Sequence, residues 1–431
     1  MEDLPPKAWK PGSLILLICW WLTKKFTNMT LPTTIIDFIH RRHQLCIDDI
    51  RPAKSAQHSV WIIHVTTTDS ARTSISSVEE TWQEALRSGR DRLVVRQWKG
   101  GARWWNLHEA KHVSELAKSE IHGYSQARSI FNTKSSSAST LRIPLLLYHS
   151  HQDASTSSDE SSEKLLPWAI FEYVGPESSL FDDQNYLYDE SKIQQMIPIR
   201  HEFGFDEPHP RWGRLPIEES FNYARMIIDQ VVLKLQSHQV SESAQKQTFQ
   251  YASMVKLYQR SLERIRAKVK QQATGTNERL ERWTLMLSRA VDTLVRYSES
   301  ITPLSPVLVH MDLQPQNILL AARKSTGEFY VRSVLDWEDS ALADPRFELL
   351  MICRKVVANQ PQAKMIWEYY QQHSNQNLGP MEPWLQLETT HSITTLLLQT
   401  MNMLDGGRNP WETQADLLGK LDREYQRLQP R

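Results

Sequence analysis

Three oxygen-bearing side chains in the last third of the chain have the types and spacing that phosphoryl transfer needs. Residues 310–317 read HMDLQPQN, which sets Asp312 five residues before Asn317. Moving a phosphoryl group leaves a protein little covalent work. It must orient an attacking hydroxyl, accept its proton and supply oxygen ligands for magnesium. A tight loop with this step presents both side chains to one place, with Asp312 as the catalytic residue and Asn317 as a metal ligand. Asp336 ends the apolar segment SVLD and offers a second metal oxygen. Magnesium is a hard cation that keeps waters and substrate phosphates around one or two carboxylates, so this set fits it. Asp and Asn also favour turns for local reasons, and Asp336 could simply cap the segment after it. The conjunction of all three is what points to chemistry.

On these residues the tract resembles the aminoglycoside phosphotransferase family and its choline, homoserine and fructosamine kinase relatives. Those proteins carry a His-Gly-Asp-x-x-x-x-Asn loop, a hairpin, and an Ile-Asp-Trp segment ending in a Gly-Asp-Pro-like turn. Here HMDLQPQNILL is followed by VLDWEDSALADPRFEL. The chain departs at Met311, often glycine in the family, and at Gln314, often histidine; neither position supplies the catalytic oxygen. The resemblance implies an α+β, bilobal protein-kinase-like fold, with a small mixed β-sheet N-lobe and a large mainly helical C-lobe. It implies ATP and Mg2+ as cofactors and a small-molecule acceptor with a hydroxyl group. In this reading His310 orders the loop by hydrogen bonding, while Asp344 and Glu348 cap and brace the following helix. The Asp-Phe-Gly and Ala-Pro-Glu elements of protein kinases are missing, since Asp336 is followed by Trp337 and Glu338.

Kinases hold the α- and β-phosphates with a lysine on the third strand, paired with a helix glutamate. In the strand 93–98 (LVVRQW), alternation puts Val94, Arg96 and Trp98 on one face. Arg96 thus resembles the lysine position, and arginine can grip phosphate in a fork; Lys99, at the strand end, is the alternative. Glu120 lies four residues from both Leu116 and Tyr124, on the apolar face of its helix, where a carboxylate needs a cation. Glu115 competes with it, and a peripheral glutamate is the plain alternative. Chain order makes 172–174 the linker between lobes, with the backbone of Tyr173 and Val174 meeting adenine. The phosphate-covering loop is expected near 55–65 (SAQHSVWIIHV), which lacks glycine; Ser59 or backbone N–H groups would contact phosphate. That lack keeps open a catalytically quiet pseudokinase that binds nucleotide or a partner. In 200–215 (RHEFGFDEPHPRWGRL), His209, Arg211 and Trp212 are candidates for shaping the acceptor site, beside a plain reading as a rigid loop.

Other elements must position these groups. Strands are expected at 143–148 and 168–174. Val113, Leu116, Ala117, Tyr124, Ala127 and Phe131 recur mostly at three- and four-residue steps, an amphipathic helix. The serine-rich stretches 133–140 and 152–164 read as flexible loops. Long helices follow at 217–237, 251–272 and 278–297, stopped by Pro303 and Pro306. A hairpin pairs 317–322 with 330–335 around Gly327, and helices resume after Asp344-Pro345. The expected division is a poorly ordered tail at 1–30, an N-lobe at 31–175 with the nucleotide-binding sheet, and a C-lobe at 176–431.

Composition sets the outer limits. A chain of 431 residues can build two or three lobes with separate cores. Fifty basic against 50 acidic side chains argues against a protein held mainly by nucleic-acid phosphates, so no nucleic-acid partner is expected. Cys19, Cys46 and Cys353 show no metal-ligand spacing and fit a reducing, cytoplasmic setting. The apolar run 13–22 (SLILLICWWL), flanked by Lys7, Lys10, Lys24 and Lys25, is far short of the ~20 residues a bilayer needs. No stable membrane span is expected; a tail, an interfacial anchor and a secretory signal all stay open, as does a start at Met29.

Overall fold

The computed structural model describes residues 31–43, 45–53, 59–67, 77–89, 91–99, 113–131, 141–150, 166–174, 186–187, 217–237, 249–271, 277–314, 317–323, 329–356, 360–404, 419 and 421. The tail 1–30, both serine-rich stretches, and 200–215 with His209, Arg211 and Trp212 lie outside the described residues. The chain forms two compact units, Met1–Lys99 with Leu145–Leu180 and Gly100–Pro144 with Phe181–Arg431.

In the first unit, helix α1 (Thr33–His43) precedes strands β1 (Leu45–Ala53) and β2 (Ser59–Thr67). Helix α2 (Ser77–Gly89) then leads to β3 (Arg92–Gln97). Helix α3 (Val113–Phe131) comes next in the chain but clusters with the second unit, and β4 (Leu146–His149) and β5 (Trp168–Glu172) return to the first. The sheet order is β1-β2-β3-β5-β4, with every pairing antiparallel. One face of this sheet is apolar because alternate residues face alternate sides. Trp61, Ile63 and Val65 of β2, Leu93 and Val95 of β3, and Ile170 of β5 share a core with Ile35 and Ile39 of α1 and Trp82 and Leu86 of α2. Within this core the ring of His43 stacks on Trp82 at 3.8 Å. Burial, with Arg42 adjacent, lowers the His43 pKa from 6.5 to about 4, so it packs as a neutral ring.

Glu172 is the polar brace of this unit. Expected within the strand 168–174 and at the start of the linker, it ends β5 and is 1% exposed. The hydroxyl of Ser88, at the end of α2, donates to one carboxylate oxygen, and the Leu145 amide donates to the other at 3.1 Å. Tyr173 and Val174 follow directly, both buried.

The second unit is mainly helical. After the two-residue strand β6 (Tyr186–Leu187), helix α4 (Ile217–Ile227) runs through a π-helical turn, Ile228–Val232, into α5 (Leu233–Ser237). The sequence reads this as one continuous helix. In the π turn, the Gln230 side-chain carbonyl accepts the Val331 amide at 2.8 Å. Helices α6 (Tyr251–Gln271) and α7 (Asn277–Ser298) match the periodic segments closely. Strand β7 (Val307–Val309) precedes the hairpin β8 (Ile318–Arg323) and β9 (Phe329–Val334), with Ile318 opposite Val334. A 3-10 turn at Trp337–Asp339 leads to β10 (Ala341–Ala343), which pairs antiparallel with β7. Helices α8 (Arg346–Lys355), α9 (Gln360–Ser374) and α10 (Glu382–Leu404) follow, and α6, α7 and α10 pack together. The architecture is therefore α+β, a small unit around an antiparallel sheet and a larger, mostly helical one. Among the described residues no helix is long and apolar enough to cross a membrane.

Glu172→Ala should expose the cost of this brace, because it leaves the buried Leu145 amide without this acceptor and the Ser88 hydroxyl with the Ala85 carbonyl at 3.0 Å. We expect a loss of about 2–4 kcal/mol in denaturant unfolding. A change within ~0.5 kcal/mol would show that Glu172 is not structural.

Candidate functional site

The β7–β10 pair and the β8–β9 hairpin bring the two sequence segments of interest together. His310 follows β7 and is fully buried. Its Nε2–H donates to the Leu335 carbonyl at 2.8 Å, and its Nδ1 accepts the Asp312 amide at 3.3 Å. These two roles require the neutral ring. Burial is the main reason its pKa falls from 6.5 to about 4; the Leu335 carbonyl and nearby Glu338 oppose that shift. The ring also meets Trp337 edge-on, with centroids 4.6 Å apart. His310 is thus the loop-ordering group expected from the sequence.

Asp312 and Asn317 are joined directly. The Asn317 carboxamide N–H donates to the Asp312 carboxylate at 2.9 Å and to its backbone carbonyl at 3.0 Å. Gln314 donates to the same carboxylate oxygen at 2.8 Å. Spending the Asn317 N–H bonds on Asp312 leaves its carbonyl oxygen as the donor suited to a hard cation. The Leu335 amide donates to the backbone carbonyl of Asn317 at 2.8 Å, so the hairpin register sets Asn317 beside the residue preceding Asp336.

Two left-handed residues shape these loops. Met311 has φ 66°, a conformation natural to glycine, which explains why the resembling family often places glycine there. Its side chain is buried all the same. Asp336 adopts φ 66°, ψ 62° at the start of the 3-10 turn, with its amide donating to the Tyr124 hydroxyl at 3.0 Å.

Helix α3 contributes more than Tyr124. Glu120, fully buried, has a carboxylate oxygen within 4.8 Å of oxygens of Asp336 and Glu338, and those two are equally close to each other. Three carboxylates at such distances repel unless a cation or proton joins them. The set consists of hard oxygen donors of the kind magnesium takes. Glu338 was not singled out in the sequence, although its place two residues after Asp336 in DWED was the available signal. Tyr124 was read only as part of an apolar stripe.

Glu348, expected to brace its helix and to support the geometry of the Asp312 segment, does the latter: its carboxylate accepts the amides of His310 and, at 3.3 Å, Met311. Burial raises its pKa from 4.5 to about 7, and those two amide bonds act the other way. Asp344 does cap its helix, accepting the Arg346 amide at 3.0 Å. It also forms a buried two-pronged pair with the Arg346 guanidinium, at 2.8 and 2.6 Å.

In β3, alternation holds as expected. Leu93 and Val95 enter the core, whereas Arg96 sits on the opposite face, in register with Val60 of β2 and Ala169 of β5. Arg96 is buried, and its guanidinium lies 6.0 Å from the Trp98 ring centre. Lys99 is exposed. Glu115 is exposed while Glu120 is buried, which separates those two candidates. Arg96 belongs to the first unit and Glu120 to the second. Residues 59–65 of the expected phosphate loop form most of β2; 54–58 lie outside the described residues.

Comparison with known proteins agrees with the resemblance read from the sequence. Residues 217–384, which hold all of the HMDLQPQN and DWED segments, match the model of the phosphotransferase enzyme family. The chain is also similar to the ADP-bound aminoglycoside phosphotransferase APH(2'')-Ib, at 12% identity and TM-score 0.47, over 92% of this chain and 97% of that one. Choline kinase LicA from Streptococcus pneumoniae gives 12% identity and TM-score 0.46, over 92% and 98%. An aminoglycoside phosphotransferase from Alicyclobacillus acidocaldarius gives 11% and 0.44, over 93% of each chain. No match is found among curated proteins.

The buried Glu348 makes stability depend on pH. A carboxyl whose folded pKa is raised stabilises fully below its unfolded pKa, and that contribution is lost as pH rises through the folded value. Between about pH 5 and pH 8 the wild type should lose stability relative to Glu348→Gln, on the order of 3 kcal/mol. His310, with its lowered pKa, contributes above 6.5 and loses that as pH falls, but it is common to both proteins and cancels. Parallel stability curves across this range would refute the assignment.

Proposed function

We propose that the chain is an ATP- and magnesium-dependent phosphotransferase that moves the γ-phosphate to a hydroxyl of a small molecule. What supports the reading most directly is the bonded set Asp312–Asn317–Leu335, in which Asn317 bonds to the Asp312 carboxylate and accepts the amide of the residue before Asp336. The match of this tract to the phosphotransferase enzyme family supports it independently.

In this reading Asp312 orients the acceptor hydroxyl and takes its proton, with its carboxylate held in place by Asn317 and Gln314. Asn317 and Asp336 hold magnesium, which when bound neutralises charge on the transferring phosphoryl group. In the first unit Arg96 grips the phosphates in a fork and the backbone of Tyr173 and Val174 meets adenine, while in the second Glu120 stands with Asp336 and Glu338. The neutral His310 takes no part in proton transfer; its two nitrogens are committed to Leu335 and Asp312.

The test is ATP turnover against a panel of hydroxylated small molecules. Asp312→Asn should lower kcat by about 10²–10⁴-fold while leaving nucleotide binding in place. Asp336→Asn should raise the magnesium requirement as well. Wild-type turnover no faster than Asp312→Asn on every acceptor would remove the enzyme reading. Magnesium-dependent ATP binding without turnover would leave a nucleotide-binding pseudokinase.

A further inference from the structure

Asp336 needs something to hold it. Its left-handed backbone is a conformation that residues other than glycine seldom adopt. Its carboxylate faces two others, those of Glu120 and Glu338, which repel it while ionised. Its backbone amide, however, is bound to the Tyr124 hydroxyl at 3.0 Å. The following residue is pinned as well. The Trp337 indole N–H donates to the Val334 carbonyl at 3.0 Å, and the Ser340 hydroxyl donates to the Trp337 carbonyl at 2.7 Å.

The approach of α3 to this turn depends on residue 123. A Cβ on Gly123 would lie 2.1 Å from the Ser340 hydroxyl oxygen and 2.7 Å from the Trp337 carbonyl oxygen, distances that real contacts do not reach. The second of these is backbone, so it cannot swing aside. Glu120, Gly123 and Tyr124 stand three and four residues apart, on one helical face. That face therefore carries two separate contacts with one loop, a close approach and a hydrogen bond.

We infer that Tyr124 is a positioning residue for Asp336, its hydroxyl holding the metal-binding aspartate in the left-handed conformation while Gly123 admits the helix to the turn. The metal part of this inference rests on the phosphotransferase reading; the positioning part does not. Tyr124 touches no reacting atom. Its contribution is to fix where the Asp336 carboxylate stands before any cation arrives, so its loss weakens metal binding more than the chemical step.

Tyr124→Phe removes the hydroxyl and keeps the ring in its packing. In metal-free protein, hydrogen–deuterium exchange of the peptide spanning 336–340 should speed up by about three- to tenfold, the effect of losing one hydrogen bond. The magnesium concentration for half-maximal ATP binding should rise by a similar factor, with kcat at saturating magnesium changed less than about twofold. Gly123→Ala should show the same pattern more strongly. Lys118→Ala, on the exposed side of α3, should show neither change. Unchanged exchange at 336–340 in folded Tyr124→Phe would overturn the positioning role, and faster exchange with an unchanged magnesium requirement would overturn its link to the metal. A wild type that binds no magnesium nucleotide would instead sink the phosphotransferase reading, leaving the exchange result to decide the role of Tyr124.

Discussion

The pairing of the loop after β7 with the end of β9 depends on a buried imidazole staying neutral. His310 can donate to Leu335 and accept from Asp312 only while it carries one proton. A second proton would turn the acceptor nitrogen into a donor facing an N–H group. Through those two bonds the ring ties the loop bearing the proposed base to the strand end bearing the proposed metal ligand. Its edge-on contact with Trp337 adds an apolar tie between the same segments. Burial both protects this arrangement and enforces it, since it disfavours the charged ring.

Around this joint, further buried polar groups bond to one another. Glu348 takes the amides of His310 and Met311, which fixes the left-handed Met311 from behind. Asp344 and Arg346 form a buried ion pair whose remaining valences are also used. The guanidinium donates to the carbonyls of Leu378 and Thr302 at 2.8 Å each, and it lies 4.7 Å from the Trp384 ring centre. Asp344 accepts the Leu304 amide at 3.2 Å too. A buried pair stabilises a fold only when its hydrogen bonds are this complete. The result links the segment before β7, the start of α8 and the segment before α10 into the support of one loop.

Much of this was legible in the chain because the signals are local. The periodic stretches became α3, α6 and α7 nearly to the residue. The alternation in 93–98 correctly separated Arg96 from the core residues Leu93 and Val95. The steps from Leu116 to Glu120 to Tyr124 put a carboxylate on a buried face, as found. By contrast β1, LCIDDIRPA, carries two aspartates, an arginine and a proline, and only pairing with β2 makes it a strand. Helices α1 and α2 were missed too. The π turn interrupting 217–237 was invisible because its residues suit an ordinary helix equally well.

Sequence by itself determined the candidate residues Asp312, Asn317 and Asp336, their order, and the hairpin between them. Those are facts of residue type and spacing, which the backbone's local preferences translate directly into loop, strand and turn. Only the tertiary structure decided what holds them. Glu348 holds the amides of His310 and Met311, and Glu338 joins Glu120 and Asp336. Tyr124 meets the Asp336 amide across 212 positions of chain. Contacts of that range are set by which faces pack, and here a glycine at 123 permits the packing. No periodicity encodes that, because the absence of a side chain acts only where another backbone comes close.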